Sequence, residues 1–333
     1  MKTALLDILV CPECSGKLAL TVLAEVQGEV ETGTLQCGSC ERSFPISRSI
    51  PRFVPVDSYQ TSFGFQWNEF RKTQLDSHTG LPLSRDRFCF STGWALDDLA
   101  GRLVLDVGCG AGRFAEVTLG AGAELVALDY SSAVDACRQN LGAHPRLNVV
   151  QGDIYRLPFR KGVFDDVYCL GVLQHTPDVK GAFLSLPAQL RPGGRLGVDF
   201  YAQHPLNFFW PKYWLRPFTK RLSQESLFKL VKLMVRFLLP ISLVIGRVPV
   251  LGRRLRYAIP VANHEPDFPL SASQVREWAV LNTYDMLAPA HDHPQSAPTV
   301  LGWLREAGLT NYEVFRKGHL IARGARPPSS RPS

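Results

Sequence analysis

Read for apolar and polar positions alone, the chain has three textures. Its middle repeats a short apolar run, a turn and a stretch with helical spacing, with apolar runs near 103–107, 124–128, 147–151, 165–170 and 195–201. Runs without strict alternation suit strands buried on both faces, and strands alternating with helices at this interval predict a parallel sheet covered on both sides. Arg191, Pro192, Gly193 and Gly194 are expected to end a helix and turn the chain into the fifth strand. Near the C-terminus a helix is expected over 296–307, then a pair of strands at 311–316 and 318–325, and the Pro- and Ser-rich tail 326–333 predicts no packed structure. The N-terminal texture, residues 1–56, is strand-like with a Gly-bearing turn, and Pro45, Pro51 and Pro55 mark its exit. The third texture, 203–295, is a long insertion. Within it 226–239 is apolar on most faces, with Lys229, Lys232 and Arg236 on one stripe, and Pro240 is expected to break the helix before the apolar run 241–245.

Glycine and acid placement gives the middle texture its chemistry. Gly108, Gly110 and Gly112 follow the first strand at alternate positions, so a ligand can lie against bare backbone where a helix begins at Arg113. Such a turn alone serves dinucleotides, flavins or packing. Further on, Asp129 tips the second strand, Gly152, Asp153 and Ile154 end the third, and the fourth runs through Leu170 and Gly171 into Gln174 and His175. All fall at the carboxyl edge, where parallel sheets bind ligands. A dinucleotide fingerprint leaves two residues between its second and third glycines; here there is one, which argues against a dehydrogenase.

The strings VLDVGCGAGRF, VALDYS, VQGDIYRLPF, FDDVYCLGVLQHTPD and LRPGGRL, in this order, resemble a class I S-adenosylmethionine-dependent methyltransferase of the methyltransferase type 11-like group. The resemblance covers about 100–202 and a closing segment near 296–323. It implies an α/β, Rossmann-like fold with a seven-stranded sheet, parallel except for its last strand, and S-adenosyl-L-methionine as cofactor. It also implies roles: Asp106 for the donor's ammonium group, Gly108, Cys109, Gly110 and Gly112 for the turn, and Asp129 and Tyr130 for the ribose. Asp153 would take the adenine amino group, with Ile154 on the ring, and Leu170 and Gly171 would close the cofactor site. Asp153 also reads simply as a turn former in Gly-Asp.

Length, cysteine and charge bound the rest. At 333 residues and 45% apolar content, the chain has room for one large domain and one or two small pieces. Cys11, Cys14, Cys37 and Cys40 form two C-x-x-C pairs separated by a hairpin's worth of chain, a spacing that suits a tetrahedral Zn²⁺; a redox pair would not need its partner there. Cys89, Cys109, Cys137 and Cys169 fall in or beside predicted core elements, so cysteine usage is metal plus core and points to a reducing cytoplasm; residues 1–10 show no signal-peptide pattern. The segment around the four cysteines resembles a Trm112-like zinc ribbon, whose closed Cys₄ shell implies a structural metal. Domain boundaries are thus expected at 1–56 (ribbon), 57–100 (connector), 101–202 (cofactor-binding core), 203–295 (insertion), 296–325 (closing helix and strands) and 326–333 (tail). Phe63, Phe65, Trp67 and Phe70 place one or two connector helices over the cleft, or staple the ribbon to the main domain.

Net charge is +7, and between 210 and 260 there are eleven Lys or Arg against Glu225 alone. No window there offers eighteen uncharged residues, so it is not expected to span a bilayer. It reads as a lid or dimer helix packed on protein, as a helix lying peripherally on the inner membrane surface with Trp210, Tyr213, Trp214 and Phe218 beside it, or, less favoured, as a nucleic-acid contact.

Methyl transfer from a sulfonium is an in-line displacement that needs a base only when the acceptor must lose a proton. His175 is the base candidate, or else a helix-start residue that shapes the pocket. Asp285 and His291 are expected in a substrate-facing loop; His291 and His293 form a His-x-His without an evident third metal ligand, and Asp292 between them is expected to point away. Neither an Asn/Asp-Pro-Pro-Tyr nor a Pro-Cys stands at the end of the fourth strand. That leaves O-, C- or N-methylation of a small-molecule, lipid-like or glycan acceptor, with ribosomal or transfer RNA as the alternative acceptor and a non-catalytic binding protein as the alternative class.

Overall fold

The structure, a computed structural model, describes residues 1–54, 61–203, 210–248, 252–265 and 267–329. Pro55, the first residues of the connector, the side chain of Phe63 and the end of the tail lie outside the described residues.

The N-terminal piece is an antiparallel meander, β1 (Leu18–Val26), β2 (Glu29–Cys37), β3 (Ser43–Ser47) and β4 (Ile50–Pro51), paired in that order. The first hairpin closes on Gln27 and Gly28, both at positive φ (52° and 75°), a pairing whose twist matches that of the strands it joins. So small a sheet cannot bury a core of its own. Accordingly Met1, Leu5, Leu9 and Leu35 join one continuous apolar cluster with Leu105, Val107, Val150 and Phe159 of the main domain. The ribbon and the main domain therefore share one apolar core.

The main sheet has seven strands: β5 (Leu103–Val107), β6 (Glu124–Asp129), β7 (Leu147–Gln151), β8 (Phe164–Cys169), β9 (Leu190–Phe200), β10 (Thr310–Lys317) and β11 (His319–Ala325). Their spatial order is β10-β11-β9-β8-β5-β6-β7, parallel from β9 to β7 and antiparallel on both sides of β11. All six residues of β8 are buried, its two aspartates included, because Asp165 pairs with Arg191 and Asp166 with Arg102 and Arg195. Helices α4 (Arg113–Gly120), α5 (Ala133–Leu141), α6 (Val179–Ser185) and α11 (Ala297–Glu306) accompany the strands. Strand order reverses between β5 and β8, which opens a crevice at their carboxyl ends. At the other edge, Arg52 bridges to Gln151 in parallel sense and the Phe53 amide donates to the Gln151 carbonyl at 2.8 Å, so the ribbon prolongs the sheet beside β7.

Two local expectations change. The 191–194 segment is not a turn ahead of the strand: β9 begins at Leu190, and its pairing jumps from Phe164 opposite Leu190 to Asp166 opposite Arg195. Pro192 has no amide for the ladder and Gly193 sits at φ 78°, so these residues loop out as a bulge within the strand. Pro240 does not break its helix either, since α8 runs from Gln224 to Gly246. A proline costs the bond to the preceding turn, but Leu239 and Ser242 on either side of it are buried and packing outweighs that loss.

The insertion supplies a helical layer, α7 (Pro211–Thr219), α8, α9 (Gly252–Leu255) and α10 (Ala272–Leu287). Asp285, expected in a loop, lies on α10, which is started by a capping box between Ser271 and Gln274 and buried along Val275, Trp278, Leu281 and Tyr284. Connector helices α1 (Thr61–Glu69), α2 (Asp76–Thr79) and α3 (Leu83–Thr92) join this layer to the sheet. Phe65 and Phe70 pack edge-on to Phe228 at 5.5 and 5.6 Å, so they fasten the connector to α8 and not to the ribbon. Among the described residues no helix is long and apolar enough to cross a membrane.

Candidate active site

β5 ends at Val107, and the chain turns through Gly108, Cys109, Gly110 and Ala111 into α4. At Gly108, φ is 85° and a Cβ would land 2.3 Å from Val172, so only bare backbone fits. The Gly108 and Cys109 amides donate to the Leu128 carbonyl at 2.7 and 3.0 Å, which ties the turn to β6. The Gly110 amide donates to Asp129 Oδ2 at 2.9 Å, while Asp129 Oδ1 accepts from the amide and hydroxyl of Ser131 at 2.8 and 2.7 Å. Burial pushes the Asp129 carboxyl above its ordinary range against the pull of these donors.

A cavity of about 1310 Å³ opens over the turn. Gly108, Cys109, Gly110, Asp129, Tyr130, Asp153, Ile154, Leu170 and Gly171 all line it, although they come from four separate strand ends. Asp153 accepts from the Tyr155 amide at 3.0 Å and so starts the turn that presents Ile154. Two of the expected residues lie off the wall. Gly112 caps α4 at φ 91° with its Cα toward Leu141 and Cys137, and Asp106 is buried beneath the turn with Oδ2 unpartnered. Burial pushes the Asp106 carboxyl up to about 8.

The opposite wall comes from the connector, β9, the insertion and β11. His175 donates from Nδ1 to the His291 carbonyl at 3.1 Å, so in the neutral ring the lone pair is on Nε2. Its ring meets Tyr201 edge-on at 5.3 Å, and the Tyr201 hydroxyl reaches Asp285 Oδ2 at 3.5 Å, the outer limit of a hydrogen bond. Asp285 Oδ1 accepts from Gln66 at 3.4 Å. His175, Tyr201 and Asp285 thus share one face of the cavity. The His291 ring does not line it; that residue acts on the site through its carbonyl. Asp292 is turned inward to Lys212 and Arg216 at 3.2 and 3.7 Å, a buried ion pair that ties α7 to this loop.

Several wall residues carry no sequence motif. Arg87 on α3 pairs with Asp199 at 2.8 Å, and Asp199 also accepts from the Gly171 amide. Burial alone would raise Asp199, but Arg87, His319 and that amide together hold its carboxyl below the usual range. Arg113 donates to Ser84 and Gln74 at 2.9 and 3.1 Å and lies over the rings of Phe114 and Trp278. Burial, helped by Arg87, lowers its pKa to about 9. Its place one residue after the third glycine was the available signal; Arg87, Tyr201 and His319 had none.

Far from the cavity, the Sγ atoms of Cys11, Cys14, Cys37 and Cys40 lie within 4.8 Å of one another, with Cys11 to Cys40 at 3.7 Å and Cys14 to Cys37 at 3.4 Å. A tetrahedral Zn²⁺ with bonds of about 2.3 Å has sulfur–sulfur edges of about 3.8 Å, so the donor set fits that ion. A Cβ at Gly16 would stand 2.9 Å from Cys37 Sγ, which keeps this knuckle clear of side chain. It is the one metal-compatible cluster of three or more such groups among the described residues; His291 and His293 gain no third partner.

A parallel sheet with an antiparallel β11, a glycine turn after its central strand and acids at the next two strand tips define the class I S-adenosylmethionine-dependent methyltransferase fold. Residues 105–198 match the family model described as a methyltransferase domain, and residues 2–49 match that of Trm112p-like protein. The chain thus carries a central stretch that matches a methyltransferase domain and an N-terminal stretch that matches a Trm112p-like protein. It is 26% identical over 254 residues to an uncharacterised chloroplastic methyltransferase of Arabidopsis thaliana, covering 66% of each chain. It is 39% identical over 109 residues to a tRNA U34 carboxymethyltransferase of Klebsiella pneumoniae, covering 31% of this chain and 32% of that one. A ubiquinone biosynthesis O-methyltransferase of Xanthomonas oryzae is 32% identical over 114 residues, 33% of this chain and 48% of that one. The chain therefore spans less than two thirds of the length of each of these relatives.

Proposed function

We propose that this protein transfers a methyl group from S-adenosyl-L-methionine to a small-molecule, lipid-like or glycan acceptor. The observation that carries this reading is the convergence of Asp129 and Asp153 with the Gly108 turn on one cavity whose far wall bears His175, Tyr201 and Asp285. On the near wall, Asp129 would accept a ribose hydroxyl beside Tyr130, and Asp153 would take the adenine amino group, with Ile154 on the ring. The Gly108, Cys109 and Gly110 backbone would lie along the donor, with Asp106 beneath it toward the ammonium group. Leu170 and Gly171 close the near side, and Arg87 and Arg113 offer cations for a carboxylate. The bound sulfonium supplies an activated methyl group. The protein's task is then to align an acceptor atom and exclude water.

His175 is the base where the acceptor must lose a proton. Its Nδ1 hydrogen, held by the His291 carbonyl, leaves Nε2 as the proton acceptor. Asp285 and Tyr201 are placed to orient a polar acceptor group. The four cysteines would hold a structural Zn²⁺. A transfer RNA acceptor is the second reading, favoured by the Klebsiella relative.

Titration calorimetry with S-adenosyl-L-methionine tests the donor site. The parent should bind, and Asp129→Ala should weaken binding about tenfold to a hundredfold, the worth of a charge-assisted hydrogen bond. No binding, or binding indifferent to that substitution, leaves only a non-catalytic scaffold. Labelled donor added to cell extracts then sorts the acceptor, since label in organic-soluble product supports the leading reading and label in RNA the second. With that product as assay, His175→Gln should lower kcat about a hundredfold or more while donor affinity holds. Unchanged kcat would reduce His175 to a shaping role.

A further inference from the structure

α8 carries three stripes along its length. Leu227, Phe228, Val231, Val235, Leu239 and Ser242 are buried. On the opposite side Leu233, Phe237, Ile241 and Val244 are exposed at 53%, 60%, 51% and 66%, spaced three and four residues apart as one outward face requires. Lys229, Lys232 and Arg236 run along the flank between these two. Ahead of α8, Trp210 at the start of α7 and Trp214 and Phe218 on it are exposed too, each one turn from the next, and Lys220 and Arg221 follow in the link to α8. Over 211–247 the exposed cations are Lys220, Arg221, Lys229, Lys232, Arg236 and Arg247, against the single acid Glu225.

Water-soluble surfaces seldom keep so many large apolar side chains contiguous. A twofold contact with another copy would set these six cations against their own equivalents, which opposes self-association through this face. Nucleic acid would answer the cations but leave Leu233, Ile241 and Val244 in water.

We propose that the outer face of α7 and α8 docks on an anionic lipid bilayer, with the helices lying in the interface plane. The aromatic and aliphatic side chains enter the headgroup boundary, and the flanking Lys and Arg pair with lipid phosphates. α8 is too charged to cross, and Pro240 sits on its exposed side. The docking face and the cavity occupy opposite sides of a two-helix layer. Inward from α8, Phe228 packs on Tyr284 of α10 at 6.0 Å, and α10 lines the cavity with Trp278, Leu281, Asn282 and Asp285. On the methyl-transfer reading, on which this clause alone rests, that spacing suits an amphipathic acceptor drawn from the membrane.

Flotation of the full chain with vesicles tests the docking without any need for activity. The protein should rise with vesicles of mixed phosphatidylglycerol and phosphatidylcholine at low salt, rise far less with phosphatidylcholine alone, and release partly at high salt. Lys229→Ala/Lys232→Ala/Arg236→Ala should lower partitioning on the order of a hundredfold, at about fivefold per cation. Phe218→Ser/Phe237→Ser should lower it more than about tenfold. Unchanged donor binding and circular dichroism in both variants show that the fold is kept. Failure of the parent to float with anionic vesicles, or equal flotation of the Phe218→Ser/Phe237→Ser variant, overturns the proposal. So does a dimer that the same variant dissolves, which assigns the face to a second copy, or salt-sensitive RNA retention without flotation.

Discussion

Asp106 and two histidines that line the cavity, His264 and His319, shift their titrations in opposite senses, and the signs can be worked out. Burial lowers His264, and burial with Arg87 lowers His319, so below about 6.5 the unfolded chain binds protons that the native one refuses. Their contribution to stability is whole above that pH and is lost as the medium turns acid. Burial raises Asp106 from 3.8 to about 8, so its contribution is whole in acid, declines as pH rises between those values and is gone above about 8. The melting temperature should therefore peak near neutrality. His264→Gln/His319→Gln should flatten the acid side of the curve and Asp106→Asn the alkaline side. A curve flat from pH 6 to 9, or one indifferent to both variants, would show that burial does not govern these groups. Sequence showed the near wall of the cavity because its chemistry is local: glycines and acids stand at strand ends, and a strand end is visible in a string of residues. Tyr201, Arg87 and His319 escaped because each arrives from a different element and is selected by packing. Asp285 lines the cavity from a helix and not from the expected loop.

At the scale of elements, burial on two faces made the sheet legible. Leu103–Val107 and Leu147–Gln151 stand where their apolar runs end, because a strand covered on both sides leaves no polar alternation to mislead. The insertion was harder for a related reason. In α8 apolar residues occur almost all round, which a single sequence cannot divide into a core face and an outward face. Only the packing of Val231 and Val235 against α10 shows that Leu233 and Phe237 are left over. Pro240 misled for the opposite reason: local geometry penalises it, yet the apolar contacts of the flanking turns exceed the loss of one backbone bond. The bulge at Pro192 was visible as irregularity, but its place inside β9 depends on the register with β8. Local rules thus located the irregular residues, and tertiary pairing decided what each one did.

For the whole molecule, the ribbon and the sheet form one packed body, so the metal site and the cavity are mechanically linked. Val10 donates to the Pro158 carbonyl at 3.0 Å and Arg160 donates back to the Ile8 carbonyl at 2.8 Å. On the other side of the same segment, Arg52 holds Gln151 at 2.8 Å and Asp135 at 2.7 Å, and Phe53 extends the β7 edge. Residues 152–154, which line the cavity, hang between these two attachments. On the proposed reading that the four thiolates hold Zn²⁺, the metal would supply much of the folding free energy of so small a sheet, and its loss should unfold the ribbon and release both attachments. Chelation, or Cys37→Ser, should lower the melting temperature and weaken donor binding by about tenfold, the worth of roughly one hydrogen bond at Asp153. Asp129→Ala should weaken donor binding with zinc content unchanged, which separates a lost contact from a lost support. Stripped protein that binds the donor as tightly as the zinc-loaded form would mean that residues 152–154 keep their place unaided. The apolar cluster joining Leu9 and Leu35 to Leu105 and Val150 argues against that outcome, because unfolding the ribbon uncovers the very face on which β5 and β7 pack.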